Sequence, residues 1–180
     1  MKEQIVIGGG CFWCVEGAMK NLRGVSEVLS GYSGGEISNP TYEQVCRGNT
    51  GHAEVVRVTF DTEIIPRRIL LEVFFTCHDP TQLNRQDNDI GSQYRSCVFY
   101  SNEEQKLEAE AVIKYLQPNF VDDIVTEVSP LINFFDAESY HHDYFAKNPE
   151  NPYCRMVVSP KIAKVRALHG NLYEWAGNFS

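Results

Sequence analysis

The spacing of apolar residues divides the chain into short segments of two different periods. Ile5, Val6 and Ile7 make a brief apolar run that stops at Gly8-Gly9-Gly10, and a helix-like stretch follows to about Leu22. Residues 53–61 alternate, with Val56, Val58 and Phe60 on one face and Val55, Arg57 and Thr59 on the other, which predicts a half-buried strand. Pro66 suits the first turn of a helix running to about Cys77. That helix is apolar almost all round (Ile69, Leu70, Leu71, Val73, Phe74, Phe75) and is therefore expected to be buried.

Residues 78–95 have no period and are dense in Asn, Asp, Gln, Pro and Gly, so they read as a long loop of the kind that carries function. Ser101 with Glu104 reads as a capping box ahead of the stripe Ala109, Val112, Ile113 and Leu116. A strand is expected near 125–129, a short helix over about 137–145 capped by Asp136, and a last helix opened by Ser159-Pro160 and closed by Gly170. No repeat, linker or low-complexity stretch divides the chain, so one catalytic domain over 1–180 is expected. The segment 167–180 holds Leu172, Tyr173, Trp175 and Phe179, too apolar for a free tail, and should pack on the body.

Charge narrows the partners. A net charge of −8 leaves no basic footprint for nucleic acid or an anionic membrane. No apolar run reaches the ~18–20 residues that span a bilayer, and no signal-peptide pattern opens the chain, so a cytoplasmic protein is expected. Six cysteines, Cys11, Cys14, Cys46, Cys77, Cys97 and Cys154, are not spaced like a secreted disulfide scaffold and suit a reducing compartment.

The chemistry concentrates at the glycine turn. Cys11 stands at the start of the first helix, where the free N–H groups and dipole of the first turn favour a thiolate, and Phe12 and Trp13 beside it can wall a small apolar group. Cys11 and Cys14 make a C-x-x-C pair with three open readings: a redox couple, half of a zinc site, or a nucleophile with an incidental neighbour. Zinc needs two further ligands at similar spacing, and His141-His142 is contiguous, so no metal is expected. Glu54, at the entrance to the strand after a short helix and a Gly-rich loop, is a proton donor if buried and an ordinary strand-end carboxylate if exposed. In the long loop, Asp89 and Tyr94 are a carboxylate and a phenol able to bind and protonate a polarised oxygen.

Six ordered motifs closely resemble the peptide methionine sulfoxide reductase A family over about residues 4–166. They are Gly-Cys-Phe-Trp at 10–13, Gly-His-Ala-Glu at 51–54, His-Asp-Pro-Thr at 78–81, Asn-Arg-Gln at 84–86, Gly-Ser-Gln-Tyr-Arg-Ser at 91–96 and Tyr-His-His-Asp-Tyr at 140–144. The resemblance implies an α+β fold, a two-layer α/β sandwich on a mixed sheet with a ferredoxin-like core and the active site at the N-terminus of the first helix. It implies reduction of methionine S-sulfoxide, free or in proteins, as repair of oxidised protein. In these roles Cys11 attacks sulfur, Glu54 protonates oxygen, and Tyr42 and Tyr94 hydrogen-bond that oxygen. Asp89 assists through water, and Phe12 and Trp13 hold the methyl group. A sulfenic acid is left on Cys11.

No bound cofactor is expected, thioredoxin is the expected external reductant, and a monomer is expected. Cys154, in Asn-Pro-Tyr-Cys where family members often carry a recycling cysteine, is the expected resolving thiol. Cys14 is the alternative, disfavoured because its sulfur would have to rotate toward Cys11 while Trp13 crowds the opening. Cys46, Cys77 and Cys97 are expected to be packing residues, and His52 and His78 to orient loops. The competing function is a general C-x-x-C dithiol-disulfide oxidoreductase.

Overall fold

The computed structural model describes residues 1–173. Strand β1 (Lys2–Gly8) leads through the glycine turn into α1 (Phe12–Met19), which ends three residues before the expected Leu22. β2 (Val25–Ser33), the short α2 (Tyr42–Cys46) and β3 (Ala53–Asp61) follow, then α3 (Arg67–Thr76). The long loop carries a two-residue hairpin, β4 (Arg85–Gln86) and β5 (Asp89–Ile90), and a 3-10 turn at Ser92–Tyr94. β6 (Cys97–Tyr100), α4 (Glu103–Leu116), β7 (Glu127–Pro130), β8 (Phe135–Asp136), α5 (Tyr144–Lys147) and α6 (Ser159–Leu168) complete the order.

The six-stranded sheet runs β7-β6-β1-β3-β2-β8, antiparallel except for the parallel β6–β7 pair, so it is mixed as expected. The inner order β6-β1-β3-β2 is that of a ferredoxin-like split βαβ unit, with α1 and α3 as its two crossovers. Alternation along the strands sorts the core. Ile5, Ile7, Val56, Val58, Phe60 and Val98 face the layer formed by α1, α3, α4 and α6. On the opposite face Val6, Ala53, Val55, Cys97 and Phe99 are covered by Leu131 and Phe134 rather than by a helix. The expectation of a half-buried β3 therefore holds for its second half, where Arg57 and Thr59 reach partial exposure, but residues 53–56 are buried on both faces.

Three other expectations are corrected. The cap of α4 is Asn102, whose side chain accepts from the Gln105 N–H while the Gln105 side chain accepts from Ser101 N–H, so the reciprocal cap sits one residue past the expected Ser101/Glu104. The expected helix over 137–145 is instead strand β8, a 3-10 turn at Ser139–His141 and the four-residue α5. Asp136 pairs with Gly31 in the sheet rather than capping a helix. The last helix ends at Leu168 with His169 as its C-cap, and Gly170 opens a 3-10 turn. Leu172 and Tyr173 do pack back: the Leu172 carbonyl accepts from Arg23 N–H, and the Tyr173 hydroxyl donates to Ala18 O at 2.5 Å. Trp175 and Phe179 lie outside the described residues.

Candidate active site

The glycine turn brings Cys11 to the N-cap of α1 under severe spatial limits. A Cβ on Gly8 would lie 2.5 Å from the Glu54 carbonyl and one on Gly9 2.6 Å from the His78 ring, while Gly10 takes the left-handed φ of 79°. Gly10 N–H donates to the Tyr94 carbonyl at 3.1 Å, tying the turn to the long loop. Cys11 is 7% exposed.

Glu54 shares the parity of Val56 and Val58 along β3 and so faces the helical layer, beneath the start of α1. It is 1% exposed, which settles the open choice between buried acid and strand-end carboxylate in favour of burial. Phe12 N–H donates to one carboxyl oxygen at 3.1 Å, and the other has no partner among the described residues. Burial pushes this carboxyl up to about 8, against the Phe12 N–H that favours its charge. At neutral pH it is a carboxylic acid with one oxygen anchored and one free.

The sequence expectation for Cys11 needs correction. Burial comes first and raises its thiol well above the usual range; the hydrogen bond with Cys14 and the Glu54 charge act in the same direction, and the Trp13 N–H opposes them. Cys14 moves down, chiefly because of that same hydrogen bond. The two thiols therefore move in opposite directions and titrate as a linked pair. Cys14 N–H donates to the Cys11 carbonyl at 3.0 Å, which keeps the two residues on the first turn of α1. Cys154 is buried, within electrostatic reach of Cys14.

The remaining expected residues come from α2, the 3-10 turn, β5 and α1 itself. Tyr42 opens α2 behind a Thr41–Gln44 capping box, its ring 6.4 Å from Phe12 in a stacked orientation. Tyr94 ends the 3-10 turn of the long loop, and burial together with the Glu54 charge raises both phenols, keeping their protons on. Asp89 on β5 accepts a hydrogen bond from Tyr153. Phe12 is fully buried against Tyr32, Tyr42 and His141, whereas Trp13 is partly exposed and lies flat on Tyr144, with ring centroids 3.9 Å apart.

Several residues here were not singled out from the sequence. Glu138 accepts from the Tyr32 hydroxyl and from the Tyr42 N–H, both at 2.9 Å, and so fixes the start of α2. His141 accepts from the Trp13 indole N–H at 3.3 Å. Tyr153 holds Asp89. The motif Tyr-His-His-Asp-Tyr was the available signal for His141 and Asn-Pro-Tyr-Cys the one for Tyr153; Glu138 had none, because its partners Tyr32 and Tyr42 are distant in sequence. Cys46, expected to be packed, is exposed. Cys77 and Cys97 are buried and pushed up to about 12, as packing residues should be. His52 and His78 do brace loops: His52 Nδ1 accepts from Gly35 N–H, and His78 bonds the Phe74 carbonyl and Ser96 hydroxyl. Among the described residues no His, Cys, Asp and Glu cluster could hold a metal, and no helix is long and apolar enough to cross a membrane.

A paired thiol at a helix start, facing a neutral carboxylic acid and two protonated phenols in an α+β sandwich, defines a thiol-dependent oxidoreductase acting on a polarised oxygen. A family model described as peptide methionine sulfoxide reductase matches residues 3–171. The peptide methionine sulfoxide reductase MsrA of Saccharolobus solfataricus is 53% identical over 166 residues, covering 92% of this chain and 94% of its own. The reduced form of Mxr1 from Saccharomyces cerevisiae superposes with a TM-score of 0.81 at 35% identity, over 85% of this chain and 89% of that one. Mxr1 in complex with Trx2 matches at a TM-score of 0.58 and 25% identity, over 78% of this chain and 84% of that one. The chain belongs to the peptide methionine sulfoxide reductase family. It is a peptide-methionine (S)-S-oxide reductase, converting the sulfoxide to methionine.

Proposed function

We propose that Cys11 is the nucleophile and Glu54 the acid of this reduction, and that a second thiol and thioredoxin restore Cys11. The observation carrying the assignment is the buried Glu54 carboxyl, anchored on one oxygen by the amide next to Cys11 and free on the other. A sulfoxide oxygen leaves only if protonated, so a nucleophile and an un-ionised acid must meet at one point.

In the first step Cys11, its proton passed to Cys14, forms an S–S bond to the sulfoxide sulfur as Glu54 gives its proton to oxygen. Tyr42 and Tyr94 donate hydrogen bonds to that oxygen, Asp89 supports it through water, and Phe12 and Trp13 receive the methyl group. The hydroxyl then passes to the Cys11 sulfur and the S–S electron pair returns to methionine. Two electrons have left Cys11, which is now a sulfenic acid, and the Cys14 proton replaces the one Glu54 lost. Cys14, now a thiolate, attacks the Cys11 sulfur, whose hydroxyl leaves as water on taking a proton from Glu54, and the disulfide passes to Cys154 by exchange.

Thiols supply every electron, so no bound cofactor is needed. The Mxr1 complex with Trx2 supports thioredoxin as the reductant of the final disulfide. Thiol chemistry of this kind fits the reducing cytoplasm. Stoichiometric turnover of separated epimers by reduced protein tests the proposal. Wild type should release methionine from the S epimer, up to two per protein because exchange to Cys154 frees Cys11 for a second attack, and none from the R epimer, and Cys11→Ser should release none. Release by Cys11→Ser, or insulin-disulfide reduction in place of sulfoxide turnover, would overturn it.

A further inference from the structure

Asn151 opens the terminal helix. Its carbonyl accepts from Arg155 N–H at 2.9 Å, Pro152 follows it, and the chain runs on through a π-helical turn at Cys154–Val158 into α6. Its side-chain oxygen accepts from the N–H groups of Tyr153 at 2.9 Å and Cys154 at 3.3 Å, so Asn151 caps the helix that carries Cys154. With the oxygen committed to two donors, the carboxamide nitrogen faces the other way and donates to the Tyr144 hydroxyl at 3.3 Å.

Tyr144 and Tyr153 are the two tyrosine rings packed on Trp13. Tyr144 lies flat on its face, with 3.9 Å between centroids and 6° between planes, and Tyr153 meets it edge-on at 5.9 Å and 74°. The Tyr153 hydroxyl also donates to Asp89. One carboxamide therefore holds one ring by its hydroxyl and the other by its backbone N–H. None of these bonds reaches the Cys11 sulfur or the Glu54 carboxyl. A helix cap needs only the oxygen, so the bond from the nitrogen to Tyr144 lies outside that role.

We infer that Asn151 is a positioning residue of the substrate pocket: it holds Tyr144 and Tyr153 together against Trp13 and thereby fixes the wall that receives the substrate methyl group. This rests on the proposed role of Trp13 as that wall. The brace acts on how the sulfoxide is seated and not on the sulfur that attacks it, so its loss is read in KM rather than in kcat. Because the same oxygen holds the Cys154 N–H, the wall and that thiol share one support.

Three substitutions separate the brace from the cap in full-length protein carrying Trp175→Phe, which leaves Trp13 as the single tryptophan. Asn151→Ala removes both functions. Asn151→Ser keeps a capping oxygen but ends one bond short of the carboxamide nitrogen, and Asn151→Asp keeps the cap and accepts from the Tyr144 hydroxyl through its second oxygen. Asn151→Ala should lower the melting temperature, which Asn151→Ser and Asn151→Asp should both restore. In single turnovers KM for the S-sulfoxide should rise about threefold to tenfold in Asn151→Ala and Asn151→Ser, the scale of one net hydrogen bond, with kcat within about twofold. Asn151→Asp should restore KM. The near-ultraviolet circular dichroism of Trp13, set by its stacked neighbour, should weaken in Asn151→Ala and Asn151→Ser and return in Asn151→Asp. In a Tyr144→Phe background Asn151→Ser should have no further effect on KM. Wild-type KM and dichroism in Asn151→Ser would overturn the inference by making Asn151 a helix cap alone, as would an undiminished effect of Asn151→Ser without the Tyr144 hydroxyl. Weakened dichroism with unchanged KM would uphold the brace and overturn the assignment of Trp13 as substrate wall.

Discussion

The protonation of Glu54 governs the rate of the first step, and its magnitude follows from burial. An exposed glutamic acid near 4.5 would be protonated in about one molecule in 300 at pH 7, whereas at about 8 roughly nine in ten carry the proton. Burial thus raises the population of the acid about 300-fold. The thiol pair imposes the opposite requirement, since it must lose one proton before Cys11 can attack. The single-turnover rate should therefore climb as the thiol pair loses its first proton and fall as pH rises through about 8, where Glu54 ionises. Rapid-quench measurement of methionine formed by pre-reduced protein between pH 6 and 10 reads both limbs. Glu54→Gln keeps the shape of the acid without its proton; it should lose 10²- to 10⁴-fold in rate and show no descending limb near pH 8. A wild-type rate that still climbs through pH 9, or a Glu54→Gln rate within a few-fold of wild type, would refute this reasoning.

The same burial has a thermodynamic signature. Because the folded value of Glu54 lies above the unfolded one, its contribution is fully present below about 4.5 and is lost as pH rises toward about 8. Glu54→Gln should therefore gain melting temperature over wild type at pH 8 and lose that advantage at pH 4.5, as followed by thermal unfolding. His78 acts in the reverse sense: burial lowers it to about 4, so its stabilisation is full above 6.5 and declines as pH falls toward 4, a decline that His78→Gln should flatten in the same assay. Gly9→Ala drives a methyl into the His78 ring, and should cost about 1–3 kcal/mol in denaturant unfolding and reduce turnover by displacing Cys11. Disulfide mapping after one turnover without reductant should find Cys11–Cys14 in a Cys154→Ser variant; finding only sulfenic acid there would assign the first condensation to Cys154 instead.

Elements whose stability is local were readable from the sequence. The alternation of 53–61 returned β3 with its bounds, and the apolar surface of 67–76 and the stripe at 109, 112, 113 and 116 returned α3 and α4. Residues 135–147 were misread because their conformation is set by distant partners. Asp136 is recruited to the sheet by Gly31, Glu138 by Tyr32 and Tyr42, and Asp143 by Lys20, which together override helix propensity. The members of the site were legible as chemistry-bearing residue types, but their protonation was not. Helix position alone favours a Cys11 thiolate, and the depth at which Cys11 sits reverses that preference, so Cys11 holds its proton and Cys14 is the thiol moved down. Fold depth likewise decided Glu54, since a strand-end glutamate and a buried acid have the same sequence.

The most direct measurement of the central claim is chemical trapping of Cys11. A Cys14→Ser/Cys154→Ser variant, reduced, mixed with the S-sulfoxide and quenched with a sulfenic-acid-specific nucleophile, should carry one adduct on Cys11 for each methionine formed. Methionine formed with no adduct on Cys11, or an adduct on another cysteine in its place, would contradict it.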